Sequence, residues 1–367
     1  MAFPRVSLMR RPTRPPDETA ISVIIPVHNG GANFRACLLS LQAADPPPYE
    51  IIVVSDGDSG ASRRLAEKSG VEVLKIPTPE GPAHARNMGA HHARGDILFF
   101  IDADVTIRPD AMNRVAAAFQ NDTALAAIFG SYDDEPLETN FLSQYKNLFH
   151  HYVHHTAKRE ASTFWGACGA IRREIFLMMG GFNEGYRRCL SESTPGTSED
   201  IELGYRLKKS GYKIELIREL QVKHLKRWTI SNLLKADIFY RAVPWTRLIL
   251  LEGGFINDLN TRVSDRISVI CICLLVVMIP AVLFIPWLLV PAGLLMCTVF
   301  WLNRELYRFF REKRGRAFAM KTIPWHWFYF FYSGLTFAIC FVYYRGMKIR
   351  GCGRRIETGD QDEQTCK

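Results

Sequence analysis

The sequence contains no CxxC pair, no HExxH motif and no GxGxxG turn after its first apolar run. The first two absences argue against zinc sites, and the third argues against a dinucleotide-binding dehydrogenase. The nine cysteines are not spaced as a disulfide framework, which fits a reducing compartment. Residues 1–20 are rich in Arg and Pro but lack the apolar stretch of a signal peptide, so they predict a disordered basic N-terminus.

The positive charge of the chain points to a membrane surface. Its formal net charge is +9 over 367 residues, and basic proteins commonly meet nucleic acid or anionic membrane. No nucleic-acid-binding motif is present, and much of the excess charge lies beside long apolar runs. We therefore expect membrane lipids, and no nucleic acid, among the partners.

Uncharged apolar runs fill much of residues 267–344. Residues 267–302 are 36 residues without a charge, which as one helix would extend about 54 Å. This length exceeds the hydrocarbon core of a bilayer, about 30 Å thick. Because Pro286 interrupts the run, we expect two spans. A second run, 323–344, is long enough for a third span, and a re-entrant or interfacial path is the alternative for one of them.

The charge between these runs predicts the orientation. Residues 303–321 carry seven Lys or Arg against two acidic residues, which favours the cytoplasm for this loop and for the N-terminal domain. The basic tail, residues 345–367, also favours the cytoplasm, which a third crossing would contradict. We expect a multi-pass protein of the inner cell membrane with two to three spans.

The N-terminal part alternates strand-like and helix-like patterns. Short apolar runs at 21–27, 50–54, 71–76 and 97–101 are separated by segments with helical spacing. This alternation predicts an α/β fold with a mostly parallel sheet covered by helices. Further helices are expected at 141–155, 172–179 and 199–210. We place the catalytic domain at 21–240 and an interfacial connector at 241–266.

Polar clusters follow three of the predicted strands. They are residues 26–31, 55–60 and 102–104. Ligands of parallel sheets bind beyond the carboxyl ends of the strands, so we expect one site at this edge. Within it, Asp102-Ala103-Asp104 supplies hard oxygen ligands for a divalent cation. A strand-to-turn transition with two solvated Asp residues is the alternative interpretation of this triplet.

Seven segments in order resemble glycosyltransferase family 2, whose members have the GT-A nucleotide-sugar-binding fold. The matching segments are SVIIPVHN at 22–29, IIVVSDG at 51–57, GPAHARNMG at 81–89, GDILFFIDAD at 95–104, GACGAIRR at 166–173, GGFNE at 180–184 and SED at 198–200. The resemblance implies a transferase that uses a nucleoside-diphosphate sugar and Mn²⁺ or Mg²⁺.

The resemblance also implies roles for residues on the donor side. Pro26, His28, Asn29 and Asp56 would line the nucleotide pocket. Asp102 would face the ribose or the donor sugar and share the metal with Asp104, the principal ligand. Arg86 would contact phosphate or sugar, or brace Asp96 or Asp102. Ser55 and Asp58 depart from the usual residues of the family, which leaves the choice of nucleotide open.

The acceptor side would be formed by Gly166, Glu184 and the SED motif. Asp200 is the candidate general base, because inverting transfer needs a carboxylate to take the proton of the acceptor hydroxyl. Glu199 points elsewhere on the helix, so the two cannot share this role, and Glu199 is a candidate acceptor contact. Helix capping by Ser198 is the alternative role for this motif.

His224-Leu225-Lys226-Arg227-Trp228 resembles the Q-x-x-R-W motif of processive polysaccharide synthases, with His in the place of Gln. His224 is the candidate third metal ligand, Arg227 would neutralise the departing diphosphate, and Trp228 would stack on the acceptor sugar. An interfacial Arg-Trp pair is the alternative. Four histidines at 150, 151, 154 and 155 have helical spacing but no acidic partner, so we expect a helix face near the acceptor or the membrane rather than a metal site.

Taken together, these patterns predict an inverting, metal-dependent glycosyltransferase held at the membrane. Its acceptor would be lipid-linked or a growing polysaccharide. A polyprenyl-phosphate sugar synthase and a catalytically inactive nucleotide-sugar-binding membrane protein are the alternatives.

Overall fold

The computed structural model describes residues 19–58, 60–185, 198–251, 259 and 262–349, with side chains described to residue 345. Most of the predicted basic N-terminus and of the basic tail lies outside these residues. The chain divides into two compact units. The described part of the first comprises residues up to 233, residue 259 and a segment at 305–322, which we call the returning segment.

The first unit is built on one eight-stranded sheet. Its strands are β1 (Ile21–Val27), β2 (Glu50–Asp56), β3 (Glu72–Ile76), β4 (Ile97–Ile101), β5 (Val105–Ile107), β6 (Leu125–Tyr132), β7 (Cys168–Arg172) and β8 (Lys213–His224). Their order across the sheet is β3-β2-β1-β4-β7-β6-β8-β5. The first four strands are mutually parallel, as predicted, whereas β7 is antiparallel to both neighbours and β5 is antiparallel to β8.

Helices cover both faces of the sheet. They are α1 (Gly31–Gln42), α2 (Ala61–Lys68), α3 (Pro82–His92), α4 (Ala111–Asn121), α5 (Phe141–Thr156), α6 (Arg173–Met178) and α7 (Glu199–Lys209). Residues alternate along the strands between two cores. Val23 and Ile25 pack in one hydrophobic cluster together with Phe34 of α1, whereas Ile24 lies in a second cluster with Leu203 of α7. This period of two is the expected consequence of a sheet buried on both faces.

The returning segment packs on α5 within the first unit. It contains most of α12 (Arg304–Arg314) and the beginning of α13 (Arg316–Ile349). Phe310 stacks on Tyr145 with ring centroids 5.8 Å apart, and Arg314 Nε donates to Gln144 Oε1 at 2.6 Å. The sequence-based domain boundaries assigned this segment to the membrane region; the structure groups it with the first unit because its aromatic face is buried against α5.

The second unit is helical. It contains α8 (Ile230–Asp237) from residue 234, a π-helical turn at Ile238–Ala242, α9 (Val243–Leu251), α10 (Val263–Val282), α11 (Leu289–Leu302) and most of α13. As predicted, the first apolar run breaks near Pro286, where a short 3₁₀ helix separates α10 from α11. Two helices, α10 and residues 316–345 of α13, are long and apolar enough to cross a membrane, and a bent pair at 286–314 gives a third if it counts as one span.

Candidate active site

Three loops meet at the carboxyl ends of β1, β2 and β4, as the sequence predicted. His28 Nδ1 donates to the carbonyl oxygen of Asp56 at 2.6 Å, and this bond ties the β1 loop, which begins after Pro26 and Val27, to the end of β2. The neighbouring Asn29 adopts a left-handed backbone conformation with φ of 52°. Its amide nitrogen lies 3.0 Å from His28 Nε2. The predicted nucleotide-side residues are therefore brought together at one edge.

The Asp56 carboxylate organises the turn that precedes α3. Its two oxygens accept the backbone N–H groups of Glu80 and Gly81 at 2.7 and 2.8 Å, and the residue is buried. Gly81 has φ of 94°, a conformation that favours glycine. A contact between Asp56 and the nucleotide stays a prediction, and the structure adds this second role.

The Asp102-Ala103-Asp104 segment is clamped by two distant parts of the chain. The backbone N–H of Asp102 donates to the carbonyl oxygen of Ala167, and the carbonyl oxygen of Asp104 accepts the N–H of Leu225 at 2.9 Å. About a third of each Asp side chain is exposed. The two carboxylates are thus held on a fixed backbone, and each remains partly exposed.

Arg86 connects this segment to the helix that carries Asp200. Its Nη2 lies 2.7 Å from Asp102 Oδ1, and its Nη1 lies 2.7 Å from Glu199 Oε1. Arg86 and Glu199 are both buried. The sequence left open whether Arg86 braces Asp96 or Asp102, and the structure identifies Asp102. The contact predicted between Glu199 and an acceptor is wrong for this conformation, because the carboxylate is enclosed and paired with Arg86.

Burial shifts the pKa values of the carboxylates around Arg86. Burial raises the pKa of Glu199 to about 7, although Arg86 opposes the shift and the charge of Asp200 adds to it. Burial also raises the pKa of Asp200 above its ordinary value, against the N–H of Gly166, the charge of Arg86 and the N–H of Ile201. A general base with a raised pKa is better matched to neutral pH than an ordinary carboxylate is.

Backbone hydrogen bonds orient Asp200. The N–H of Gly166 donates to Oδ2 at 3.1 Å, and the N–H of Ile201 donates to Oδ1 at 2.8 Å. Gly166 therefore positions the candidate base, which adds to the acceptor role that the sequence predicted for it. Ser198 makes no side-chain cap for α7, and within the described residues its buried Oγ has no hydrogen-bond partner. Helix capping by Ser198 is therefore not the explanation of the SED motif.

Asp104 lies beside His224, as the metal-site prediction requires. The pairing of β5 with β8 places Val105 opposite His224, and His224 Nε2 is 3.6 Å from Asp104 Oδ2. Asp104 is thus an anionic oxygen donor next to an imidazole nitrogen.

The donor set fits a cation that a diphosphate helps to bind. Two ligands of one octahedral ion are about 3 Å apart, close to the separation of Nε2 and Oδ2. Asp102 is directed toward Arg86 instead, and no cluster of three or more His, Cys, Asp or Glu able to hold a metal occurs within the described residues. Asp104 and His224 are therefore the two residues here that could hold a cation. Such a site suits Mg²⁺ or Mn²⁺, which commonly take their remaining ligands from water and substrate phosphates.

Glu184 is held by α3. Its Oε1 accepts from Asn87 Nδ2 at 2.7 Å, and its Oε2 lies 2.9 Å from His84 Nδ1. Asn87 also bonds both the N–H and the carbonyl oxygen of Phe182. The GGFNE segment is therefore fixed to α3, and the exposed carboxylate of Glu184 remains a predicted acceptor contact.

The Arg227-Trp228 pair departs from its predicted arrangement. Trp228 is only 3% exposed, with Lys226 Nζ 4.4 Å from its ring centroid, so the ring presents no free face to a sugar. The predicted stacking on an acceptor is wrong for this conformation. The Arg227 side chain is 70% exposed and lies 3.9 Å from Glu138. Its predicted contact with the departing diphosphate stays a prediction.

The histidines of α5 fix this helix to the sheet. Nδ1 of His151 lies 2.8 Å from the carbonyl oxygen of Tyr132, and Nδ1 of His154 lies 2.9 Å from that of Gly130. A carbonyl oxygen only accepts, so each imidazole donates. Burial lowers the pKa of His155 to about 4, which keeps its ring neutral near neutral pH. The expected helix face is therefore an anchor to β6.

Sequence reasoning missed three residues of this region: Tyr132, Asn147 and Trp165. Tyr132 stacks on His224 with ring centroids 4.4 Å apart and an interplanar angle of 11°. Asn147 Oδ1 lies 2.9 Å from His224 Nδ1. Trp165 packs edge-on against Tyr132 and precedes Gly166. The helix itself was predicted, and the polar run 143–147 inside it was a signal that could have drawn attention to Asn147.

Comparisons with known proteins agree with this geometry. The model of the family described as "Glycosyl transferase family 2" matches residues 22–178. The pre-mycofactocin glycosyltransferase of Mycobacterium tuberculosis is 28% identical over 244 residues, which are 63% of this chain and 48% of that protein. Glycosyltransferase AglE of Haloferax volcanii is 33% identical over 91 residues, 23% of this chain and 30% of that protein. The chain spans about half the length of the first curated relatives it matches.

A solved structure is similar along most of the chain. It is the mannosyltransferase PcManGT from Pyrobaculum calidifontis in complex with GDP-Man and Mn²⁺, with a TM-score of 0.49 at 17% identity, covering 88% of this chain and 86% of that one. The family match includes residues 81–89, at the start of α3, and Asp102-Ala103-Asp104 (the DAD segment), and Arg86 joins the two. The family resemblance of this chain is therefore carried by residues 22–178, which match the model of glycosyl transferase family 2.

Proposed function

We propose that this protein transfers a sugar from a nucleoside-diphosphate sugar to an acceptor hydroxyl at a membrane, with inversion at the anomeric carbon. One observation carries the proposal most directly. Arg86 pairs with Asp102 on one side and with Glu199 on the other, so the donor-side motif and the Asp200 helix converge on one cation. Donor and acceptor groups can thus meet in a single site.

Asp200 is the proposed general base. The two N–H groups on its carboxylate fix its direction, and the raised pKa strengthens its ability to take a proton. In the proposed reaction the acceptor oxygen bonds to the anomeric carbon as the bond to the diphosphate breaks. The proton of the acceptor hydroxyl goes to Asp200, and the nucleoside diphosphate leaves from the opposite face of the sugar.

Asp104 and His224 would hold the divalent cation. A bound Mn²⁺ or Mg²⁺ would stabilise the negative charge that develops on the leaving diphosphate. The protein contributes the anionic oxygen of Asp104, the imidazole nitrogen of His224 and a backbone fixed at Ala167 and Leu225. Asp102, neutralised by Arg86, is left to hydrogen-bond the ribose or the donor sugar.

A lipid-linked or polysaccharide acceptor is proposed from the helical unit. Two helices there are long and apolar enough to cross a membrane, and their exposed side chains are largely apolar, among them Ile270, Val277, Ile279 and Val342. An enzyme with such helices would work beside the bilayer surface. Assays with detergent-solubilised protein should therefore show better transfer to lipid-linked than to free saccharide acceptors. Equal rates with both would contradict this part.

Replacing Asp200 by Asn tests the catalytic proposal. We expect the D200N variant to lose at least about a hundredfold in turnover, the usual contribution of general-base catalysis, while it keeps Mn²⁺-dependent nucleotide binding. Asp122→Asn is the matched control, because Asp122 pairs with Lys213 outside the site and its loss should leave turnover unchanged. A D200N variant with wild-type turnover would contradict the role of Asp200. Nucleotide binding without turnover in the wild type would indicate an inactive binding protein.

A further inference from the structure

His224 has a second buried partner on the side of its ring away from Asp104. Asn147, in the middle of α5, places its Oδ1 2.9 Å from His224 Nδ1. Asn147 is 1% exposed and His224 is 4% exposed. Water therefore does not compete for this hydrogen bond, and the two side chains determine each other's orientation.

The direction of this bond fixes the tautomer of the imidazole. An amide oxygen only accepts hydrogen bonds, so Nδ1 of His224 must carry the hydrogen. In the neutral ring the lone pair is then on Nε2, the nitrogen that faces Asp104. At 3.6 Å, Nε2 and Asp104 Oδ2 are too far apart for a hydrogen bond. The Nε2 lone pair is thus directed at the oxygen donor and is available to a cation.

Neighbouring rings fix the plane of the same imidazole. Tyr132 stacks on it with an interplanar angle of 11°, and the Trp228 ring lies 6.2 Å away. The helix that carries Asn147 is itself anchored to β6 by His151 and His154. Tyr132 therefore sets the plane of the His224 ring, and Asn147 sets its tautomer.

We propose that Asn147 is a positioning residue, which holds His224 in the Nδ1–H tautomer and thereby directs Nε2 toward the cation. This inference rests on the proposed metal-dependent function. Partners that orient a metal-ligating histidine in this way typically change metal affinity 10–100-fold when they are removed. Without the Asn147 acceptor, the tautomer with its hydrogen on Nε2 becomes the more stable one, because that hydrogen can point at Asp104. A protonated Nε2 cannot bind a metal.

Two substitutions separate positioning from packing. Asn147→Leu keeps the approximate shape but removes the acceptor, whereas Asn147→Asp keeps an acceptor for Nδ1–H. Val153→Ala, a buried site elsewhere on α5, is the control for a general loosening of the helix. Full-length protein in detergent is titrated with Mn²⁺ in the presence of UDP, and in a second series of GDP, and free Mn²⁺ is followed by electron paramagnetic resonance.

We expect N147L to raise the Kd of Mn²⁺ 10–100-fold, and N147D and V153A to stay within a few-fold of the wild type. A second readout is independent of the metal. In protein labelled with ¹⁵N-histidine, with His224→Gln used to identify the signals, the protonated nitrogen of His224 should change from Nδ1 to Nε2 in N147L. Thermal unfolding of each variant shows that it is folded.

Three results would overturn the inference. They are an unchanged Mn²⁺ Kd in folded N147L, an equal loss of affinity in N147L, N147D and V153A, and an unchanged tautomer in N147L. Each of these leaves the proposed function intact if the wild type binds Mn²⁺ and transfers sugar. A wild type that binds no Mn²⁺ with either nucleotide would instead refute the metal site, and the role of Asn147 with it.

Discussion

The guanidinium of Arg86 and the carboxylate of Asp102 form an ion pair, with Nη2 2.7 Å from Oδ1. The first carboxylate of the DAD segment is thus directed to a protein cation, and the second, Asp104, faces His224. The two acids of one motif therefore have different environments although a single residue separates them. One is paired with a guanidinium, and the other lies beside an imidazole.

Replacing Arg86 by Met should destabilise the protein strongly. The change leaves Glu199 buried without its counter-charge, and breaking a buried pair in this way costs about 3–5 kcal/mol. Urea unfolding of the purified protein measures this loss. The R86M/E199Q double variant should regain part of it, because a neutral amide needs no counter-charge. Arg108→Met, at an exposed site beside Asp110, should change the unfolding free energy by less than about 1 kcal/mol. Similar losses in R86M and R108M would contradict the buried-pair interpretation.

The Glu199→Gln variant should remove a pH dependence of stability. Burial raises the pKa of Glu199 from 4.5 to about 7, so the folded state binds this proton more tightly than the unfolded chain. The protonation of Glu199 adds to the free energy of unfolding in full below pH 4.5, and this contribution is lost as the pH rises through about 7. The Tm of the wild type relative to E199Q should therefore fall between about pH 5 and about pH 7.5.

The matched control for this experiment is Asp122→Asn. Hydrogen bonding to Lys213, together with the N–H of Ala124, lowers the pKa of Asp122, so this group titrates below the same window. The Tm difference between wild type and D122N should stay constant where the difference for E199Q changes. A constant difference for E199Q would show that Glu199 is ionised throughout.

Gly204→Ala should destabilise the protein, although alanine has a higher helix propensity than glycine. A Cβ at Gly204 would lie 2.3 Å from the backbone nitrogen of Phe164, and this overpacking costs about 1–3 kcal/mol. Propensity alone would favour alanine by about 1 kcal/mol. Because Gly204 lies on the helix of Asp200, turnover should fall as well. Gly293→Ala is the control, since a Cβ there meets open space. A G204A variant with unchanged Tm and turnover would contradict the close approach.

Arg314→Ala should loosen the returning segment. Arg314 donates to Gln144 Oε1 and, at 2.8 Å, to the carbonyl oxygen of Asp134. Charge-assisted bonds of this kind contribute about 1.5–3 kcal/mol each, so amide hydrogen exchange in α12 should accelerate at least roughly tenfold. Arg308→Ala removes a basic side chain that pairs with Glu312 of the same helix, and it should leave exchange nearly unchanged. Equal exchange in both variants would contradict the docking role of Arg314.

The sequence predicted the first four strands and the order of the motifs because short apolar runs between turn residues are local signals. It did not predict β8, where the bulged pairing with β6 and the exposed Arg218 and Glu219 interrupt the alternation. The alternation of apolar and polar residues at Leu220-Gln221-Val222-Lys223 was a sequence signal that could have located its last part. Recognition of β8 would have placed His224 beside β5, and so beside Asp104.

The partners of Arg86 and of His224 could not be predicted from sequence. Glu199 and Asp102 reach Arg86 only because α3, β4 and α7 converge in three dimensions. Asn147 meets His224 only after α5 crosses β6 and β8. Trp228 shows the opposite error. Its motif predicted a ring that stacks on a sugar, but the ring is buried in the structure. Residue type indicated the chemistry here, but burial determined which groups were available for it.

The return of residues 305–322 to the first unit has a practical consequence for making a water-soluble enzyme. Ending the polypeptide after β8 would uncover the aromatic face of α5, where Phe141 and Tyr145 otherwise meet Phe318 and Phe310. A contiguous apolar surface of this kind promotes aggregation. A detergent-free version should therefore replace the helices between the two parts with a flexible Gly/Ser linker and keep the returning segment at its end.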